Sequence, residues 1–227
     1  MKSKIEIVIF DMDGVLVDVR DTFHSTILLT VKHFTGKTVP RVEIQDWKNR
    51  GGYNDDWKLS NHWIRSLGGR ASFEDVKRQF QVFYWGENND GTFLREQWLL
   101  PLPKLRSLAK RAELAIFTGR TRRELAPTLE RFRVEKYFRQ IVTQNDIAKL
   151  KPHPEGLLKI LEGRDPSVAL YVGDNVDDAK AAKRAGILFA GVLPPRGLAR
   201  RICAARLKEH GAKVILRNVA GVEELLA

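Results

Sequence analysis

From about Lys104 onward the chain alternates almost without interruption between short apolar runs and segments of helical spacing. Leu102–Lys110 reads as a helix, Leu114–Phe117 as a strand, Arg122–Arg131 as a helix and Gln140–Thr143 as a strand. Pro154–Leu161, Asp177–Ala185 and Leu198–Glu209 then read as helices between strands at Val168–Val172, Ile187–Ala190 and Lys213–Leu216, with a last short helix at Val222–Leu226. Strands separated by helices of about ten residues pair side by side in parallel, through right-handed crossovers. Ile5–Phe10 (IEIVIF) adds a short, largely apolar and β-branched strand that stops at Asp11. The pattern predicts an α/β fold with a Rossmann-like parallel sheet, buried on both faces.

Between Val19 and Trp98 the alternation fails. This stretch holds Trp47, Trp57, Trp63 and Trp85 and long helical segments at Thr22–Phe34 and Phe73–Trp85. It is expected to be a mostly helical cap domain, residues 19–98, inserted after the first strand into a core made of residues 1–18 and 99–227. Loops at the carboxyl ends of parallel strands line the ligand crevice, so an insertion there is expected to serve as a lid.

Lys and Arg number 39 against 28 acidic residues, a formal charge of +11. The basic residues are spread as singles and pairs such as Lys77-Arg78 and Arg200-Arg201, so an anionic small molecule is the expected partner and nucleic acid is not. A single cysteine, Cys203, excludes an internal disulfide and points to a reducing compartment, the cytoplasm. No run approaches the roughly 18 apolar residues of a membrane span, and the first residues are too acidic for a signal peptide. His24, His33, His62, His153 and His210 lack metal-ligand spacing and read as structural or surface residues. A monomer or homodimer is expected.

Four polar clusters follow directly on expected strands: Asp11-Met12-Asp13-Gly14, Thr118-Gly119-Arg120, Lys151-Pro152, and Gly173-Asp174 with Asp177-Asp178. Parallel strands place all four on one edge of the sheet. Carboxylates, a hydroxyl with neighbouring N–H groups and a lysine, brought together, are what metal-assisted phosphoryl transfer requires.

In that order, DMDGVLVD, FTGR, the Lys-Pro of LKPHPEG and YVGDNVDDAKAAKRAG resemble the four signature motifs of the haloacid dehalogenase-like hydrolases. The helical insertion resembles the cap of their phosphoglycolate phosphatase-like subfamily. The resemblance implies that Asp11 is the nucleophile, forming an aspartyl phosphate, and that Asp13 is the acid that becomes the base. An aspartate at that second position also favours phosphate esters over carbon–halogen bonds. Thr118 and Gly119 would cradle the phosphate, with charge added by Arg120, and Lys151, favoured over Lys149 by the proline that follows it, would pair with Asp11 and a phosphate oxygen. Mg²⁺ would be held by the Asp11 and Asp174 side chains and the Asp13 carbonyl, with Asp178 behind them and Asp177 one residue out of register.

Within the insertion, Arg50 to Lys58 reads as a glycine-bearing loop between helices, and Arg50, Asn54 and Lys58 are expected to select the substrate. The function implied is a Mg²⁺-dependent phosphatase acting on a small phosphorylated metabolite. A phosphosugar mutase of the β-phosphoglucomutase type would use the same four motifs. The +11 charge and the basic segment Arg196–Arg206 motivate a reading of another class, a nucleic-acid-binding protein on a hydrolase scaffold.

Overall fold

A computed structural model describes residues 5–50, 53, 55–88, 90–194 and 199–226. The chain divides into two compact units, Met1–Val17 with Trp98–Ala227, and Asp18–Gln97. Strand β1 (Ile7–Phe10) begins the first unit. The two-residue strands β2 (Val17–Asp18) and β3 (Gln97–Trp98) lie where the chain leaves it and returns. Between them come α1 (Phe23–Thr35), α2 (Arg41–Arg50), α3 (Asp56–Ser66) and α4 (Phe73–Trp85). The first unit resumes with α5 (Leu102–Ala109), β4 (Glu113–Phe117), α6 (Arg122–Phe132), β5 (Gln140–Val142), α7 (Glu155–Leu161) and β6 (Ala169–Gly173). It finishes with α8 (Val176–Ala185), β7 (Leu188–Val192), α9 (Ala199–Glu209), β8 (Val214–Leu216) and a 3₁₀ turn at Val219–Leu226.

The six long strands form one parallel sheet in the order β5-β4-β1-β6-β7-β8, so the α/β class expected from the alternation is what is found. Phe10 stands opposite Ile116 on one side and Val172 on the other. The order reverses at β1: the chain steps outward to β4 and β5, then crosses back to β6. Such a reversal opens a crevice at the carboxyl ends of the strands beside it. Every residue of β1 is buried, as an apolar strand covered on both faces must be. On one face Ile7, Ile9, Phe117 and Tyr171 pack with Leu157 and Ile160 of α7 and the alanines 179, 181, 182 and 185 of α8. The small side chains of α8 and Gly156 of α7 let both helices approach closely; a Cβ at Gly156 would lie 2.2 Å from the Phe117 ring.

The second unit is built on helical spacing. Phe23, Ile27 and Val31 of α1 recur every fourth residue, as do Val76, Phe80 and Tyr84 of α4, and all six are buried. The Phe23 ring stacks on Tyr84 at 4.9 Å between centroids. Asp55 caps α3 by accepting the N–H groups of Trp57 and Lys58, and Ser72 caps α4 through Asp75. The expected Arg50–Lys58 loop is therefore shorter than its sequence suggested. Arg50 is the last residue of α2 and Lys58 lies inside α3, because the Asp55 cap starts that helix at Asp56. Asn54 lies outside the described residues, as does Arg196.

His24 is buried in the second unit. Burial, then the charges of Lys48 and Arg41, lower its pKa from 6.5 to about 3. The folded protein keeps this imidazole neutral while the unfolded chain takes up a proton below pH 6.5, so stability falls as pH drops from 6.5 towards 3. The deficit at pH 5 is about 2 kcal/mol relative to pH 7.5. Urea unfolding of the wild type and His24→Gln at both pH values is expected to show this part of the pH dependence in the wild type alone.

Candidate active site

Asp11, Asp13, Thr118, Gly119, Arg120, Lys151 and Asp174 sit just past the carboxyl end of a strand or in the loop that follows it, and Asp178 lies in the first turn of α8. β1 presents Asp11, whose backbone N–H donates to Val172 O at 2.9 Å and so continues the ladder to β6 for one more residue. The chain then turns tightly: the Gly14 N–H donates to Val17 O at 2.8 Å, and Gly14 adopts φ +79°. Here the glycine is required twice over. Its φ lies in the left-handed region, and a Cβ would meet Asp174 Oδ2 at 2.0 Å. The absence of a side chain at position 14 is what lets the loops after β1 and β6 come together.

At the centre lies Lys151. Its ammonium donates to Asp11 Oδ1 at 2.7 Å and to the Phe117 carbonyl at 3.0 Å, and pairs with Asp178 Oδ1 at 2.8 Å. The Phe117 and Tyr171 rings flank it at 4.7 and 5.5 Å from their centroids, within cation–π range. Burial alone would lower the Lys151 pKa, but the carboxylates of Asp11 and Asp178 outweigh it and keep the ammonium charged. The opposite balance holds at Asp11. Burial raises its carboxyl to about 7 against the pull of Lys151, and Asp178 and Asp13 add to the rise.

Asp178 is the most tightly held carboxylate of the group and is fully buried. Tyr171 Oη donates to its Oδ1 at 2.7 Å, while the N–H groups of Asp174 and Asn175 donate to Oδ2 at 3.2 and 3.3 Å. Asn175 caps α8, its Oδ1 accepting the N–H groups of Asp177 and Asp178, so Asp178 closes a capping box at the positive end of the helix. A Cβ at Gly173 would press on Asp178 at 2.6 Å, so this seat too depends on a glycine. Burial raises the Tyr171 pKa well above its usual value, which leaves the phenol a proton donor at any physiological pH.

Asp13 and Arg120 form a second pair. The Arg120 Nε and Nη2 groups both donate to Asp13 Oδ1, at 2.9 and 2.6 Å, while Nη1 is held by Thr128 Oγ1 at 2.9 Å. The Arg120 side chain is 1% exposed. In this structure the Arg120 guanidinium, expected to add charge to a phosphate cradle, is engaged with the Asp13 carboxylate and Thr128. Thr118 Oγ1 accepts the Arg120 N–H at 3.1 Å, which leaves its own proton to donate elsewhere. The cap of α6 is Thr121, in a capping box with Glu124, so Thr118 is not spent on starting a helix. Gly119 is exposed beside it, and the space where its Cβ would stand is open.

One carboxylate oxygen each from Asp11, Asp174 and Asp178 lie within 4.8 Å of one another. An all-oxygen set of this kind suits a hard divalent cation. Both Asp178 oxygens already carry hydrogen-bond donors, so the direct side-chain ligands that fit are Asp11 and Asp174, with Asp178 supporting them. Lys58, Arg50 and Asp55 belong to the second unit, where Arg50 stacks over the Trp47 ring at 4.5 Å. Sequence reasoning missed Tyr171, Asn175 and Phe117. Asn175-x-x-Asp178 has the form of a capping box and could have been found; the other two pointed only to a buried strand.

Residues 8–192 match the model of a protein family described as haloacid dehalogenase-like hydrolase. Over its whole length the chain is 34% identical to an imidazoleglycerol-phosphate dehydratase of Phytophthora nicotianae, and it spans about half of that relative, 53%. It is 27% identical over 203 residues to a phosphoglycolate phosphatase of Escherichia coli O157:H7, covering 82% of this chain and 80% of the relative. The crystal structure of a predicted phosphoglycolate phosphatase from Haemophilus somnus superimposes with TM-score 0.78 at 22% identity, covering 100% and 99% of the two chains, a likeness of fold.

Two substitutions test this geometry. Gly14→Ala is expected to weaken divalent-cation binding, probed with Mg²⁺ by isothermal titration calorimetry, about tenfold or more, because the added Cβ displaces Asp174. Arg120→Met is expected to lower kcat on the order of tenfold to a hundredfold with little change in KM, because the Asp13 carboxylate loses the two donors that orient it.

Proposed function

The chain belongs to the haloacid dehalogenase-like hydrolases, and from that membership we propose that it is a Mg²⁺-dependent phosphatase of a small phosphorylated metabolite, with Asp11 as nucleophile. The observation that carries this reading is Asp11 held by Lys151 at 2.7 Å, beside an Asp13 oriented by Arg120. One carboxylate is fixed for attack and the other for proton transfer, a division of labour that environment alone imposes on two like groups.

Asp11 attacks phosphorus through a carboxylate oxygen and the ester oxygen departs, taking a proton from the Asp13 carboxyl. The resulting aspartyl phosphate is hydrolysed when Asp13, now ionised, accepts a proton from the attacking water. Thr118 Oγ1 and the Gly119 N–H hold the transferring oxygens, and Lys151 supplies fixed positive charge. Mg²⁺, held by Asp11, Asp174 and the Asp13 carbonyl, would neutralise charge on the phosphoryl oxygens.

The substrate class is supported by the relatives. A phosphoglycolate phosphatase and an enzyme named for imidazoleglycerol phosphate both handle small phosphate monoesters. Arg50 and Lys58 remain candidates for substrate selection. Cys203, the single cysteine of the sequence, is buried, and a chain with no second cysteine to form an internal disulfide fits a reducing compartment such as the cytoplasm.

Free-phosphate release from a panel including phosphoglycolate, imidazoleglycerol phosphate, a hexose phosphate and p-nitrophenyl phosphate tests the reading. Release with Mg²⁺ is expected to stop in EDTA and to fall on the order of a thousandfold or more in Asp11→Asn. No release from any ester by the wild type would overturn it. Isomerisation of the hexose phosphate without free phosphate would identify a mutase instead.

A further inference from the structure

Lys151 faces a shortage of donors. An ammonium has three N–H groups. In this structure three acceptors surround it: Asp11 Oδ1 at 2.7 Å, the Phe117 carbonyl at 3.0 Å and Asp178 Oδ1 at 2.8 Å. A phosphate oxygen can be reached only when one of these is given up. Asp11 is the attacking group, and Lys151 must stay on it to screen it from the phosphate dianion. The Phe117 carbonyl belongs to a central strand and cannot retreat. The partner left to be released is Asp178.

Release strands a carboxylate with no exposed surface, and a buried charge without donors is costly. On Oδ2 the Asp174 and Asn175 N–H groups remain, at the long distances of 3.2 and 3.3 Å. On Oδ1, the oxygen that Lys151 vacates, the remaining donor among the described residues is Tyr171 Oη at 2.7 Å. The tyrosine shares that oxygen with the lysine and is itself fully buried on β6, where its ring packs between Phe117 and Phe189.

We propose that Tyr171 is a positioning residue for phosphoryl transfer: its hydroxyl holds Asp178 in place while Lys151 turns one N–H from Asp178 to the bound phosphate. This rests on the phosphatase reading above. Tyr171 touches neither substrate nor metal in this scheme. It acts by making the lysine's change of partner cheap.

Tyr171→Phe keeps the ring, its packing and its face towards Lys151, and removes only the donor. The probe is inorganic phosphate, titrated calorimetrically into the full chain at fixed Mg²⁺, alongside steady-state phosphate release. Phosphate is expected to bind about tenfold more weakly to Tyr171→Phe, and kcat/KM to fall by a similar factor. In an Asp178→Asn background no charge needs the hydroxyl, and the same substitution is expected to change phosphate affinity by less than about twofold. A purely packing role predicts equal losses in both backgrounds. Equal losses, or a Tyr171→Phe affinity within about twofold of wild type, would overturn the proposal. Should Tyr171→Phe alone fail to fold, recovery of folding in the double variant supports the proposal and its failure there refutes it. Because the readout is binding, a wild type that binds phosphate but hydrolyses no ester would end the phosphatase reading and leave this test interpretable.

Discussion

A buried ammonium between two buried carboxylates is the interaction on which the rest of this site depends. None of the three groups could be placed there alone. Lys151 without its acids would be driven towards neutrality, and Asp11 is already lifted to about 7 with the lysine beside it. The cluster is assembled from three distant segments: Asp11 follows β1, Lys151 lies in the loop after β5, and Asp178 opens α8. They meet because β1 lies between β4 and β6 in the sheet, and the Phe117 carbonyl at the end of β4 accepts the lysine's remaining donor. The electrostatics therefore presuppose the strand order, and the strand order carries the electrostatics at its edge.

The two carboxylates after β1 show how position separates like groups. Asp11 is almost fully buried and answers to a lysine, whereas the Asp13 side chain is 27% exposed and answers to an arginine through a single oxygen. In the proposed reaction that would give Asp13 the solvent contact suited to passing a proton, and Asp11 the desolvation suited to attack. The intervening Met12 is buried, so the peptide turns the two acids to different surroundings within three residues.

Much of this was legible in the sequence for definable reasons. Apolar runs ending in polar residues mark both a buried strand and its functional end, so Asp11, Thr118 and Asp174 could be placed on one edge before any coordinates were known. Partners were harder to read. That Arg120 turns to Asp13 depends on Thr128, nearly two turns into α6, holding the far side of its guanidinium. Tyr171 resembles any other aromatic residue of a buried strand until its hydroxyl is seen against Asp178. In the helical unit, Asp55 was read as part of a loop, although an aspartate just before a run of helix formers is also a cap; that ambiguity cost the start of α3 and the placement of Lys58.

The position of β1 in the sheet has a consequence for how the chain acquires its structure. This strand is made first, yet its neighbours β4 and β6 begin only at Glu113 and Ala169, with the whole helical unit intervening before the nearer of them. During synthesis the apolar segment Ile7–Phe10 waits unpaired while α1 to α4, whose contacts are local, can close on themselves. This strand gains its first neighbour with β4 and its second only with β6. Its four consecutive apolar residues therefore keep an open edge until Ala169–Gly173 has been made, the kind of exposed strand edge that favours association with other chains.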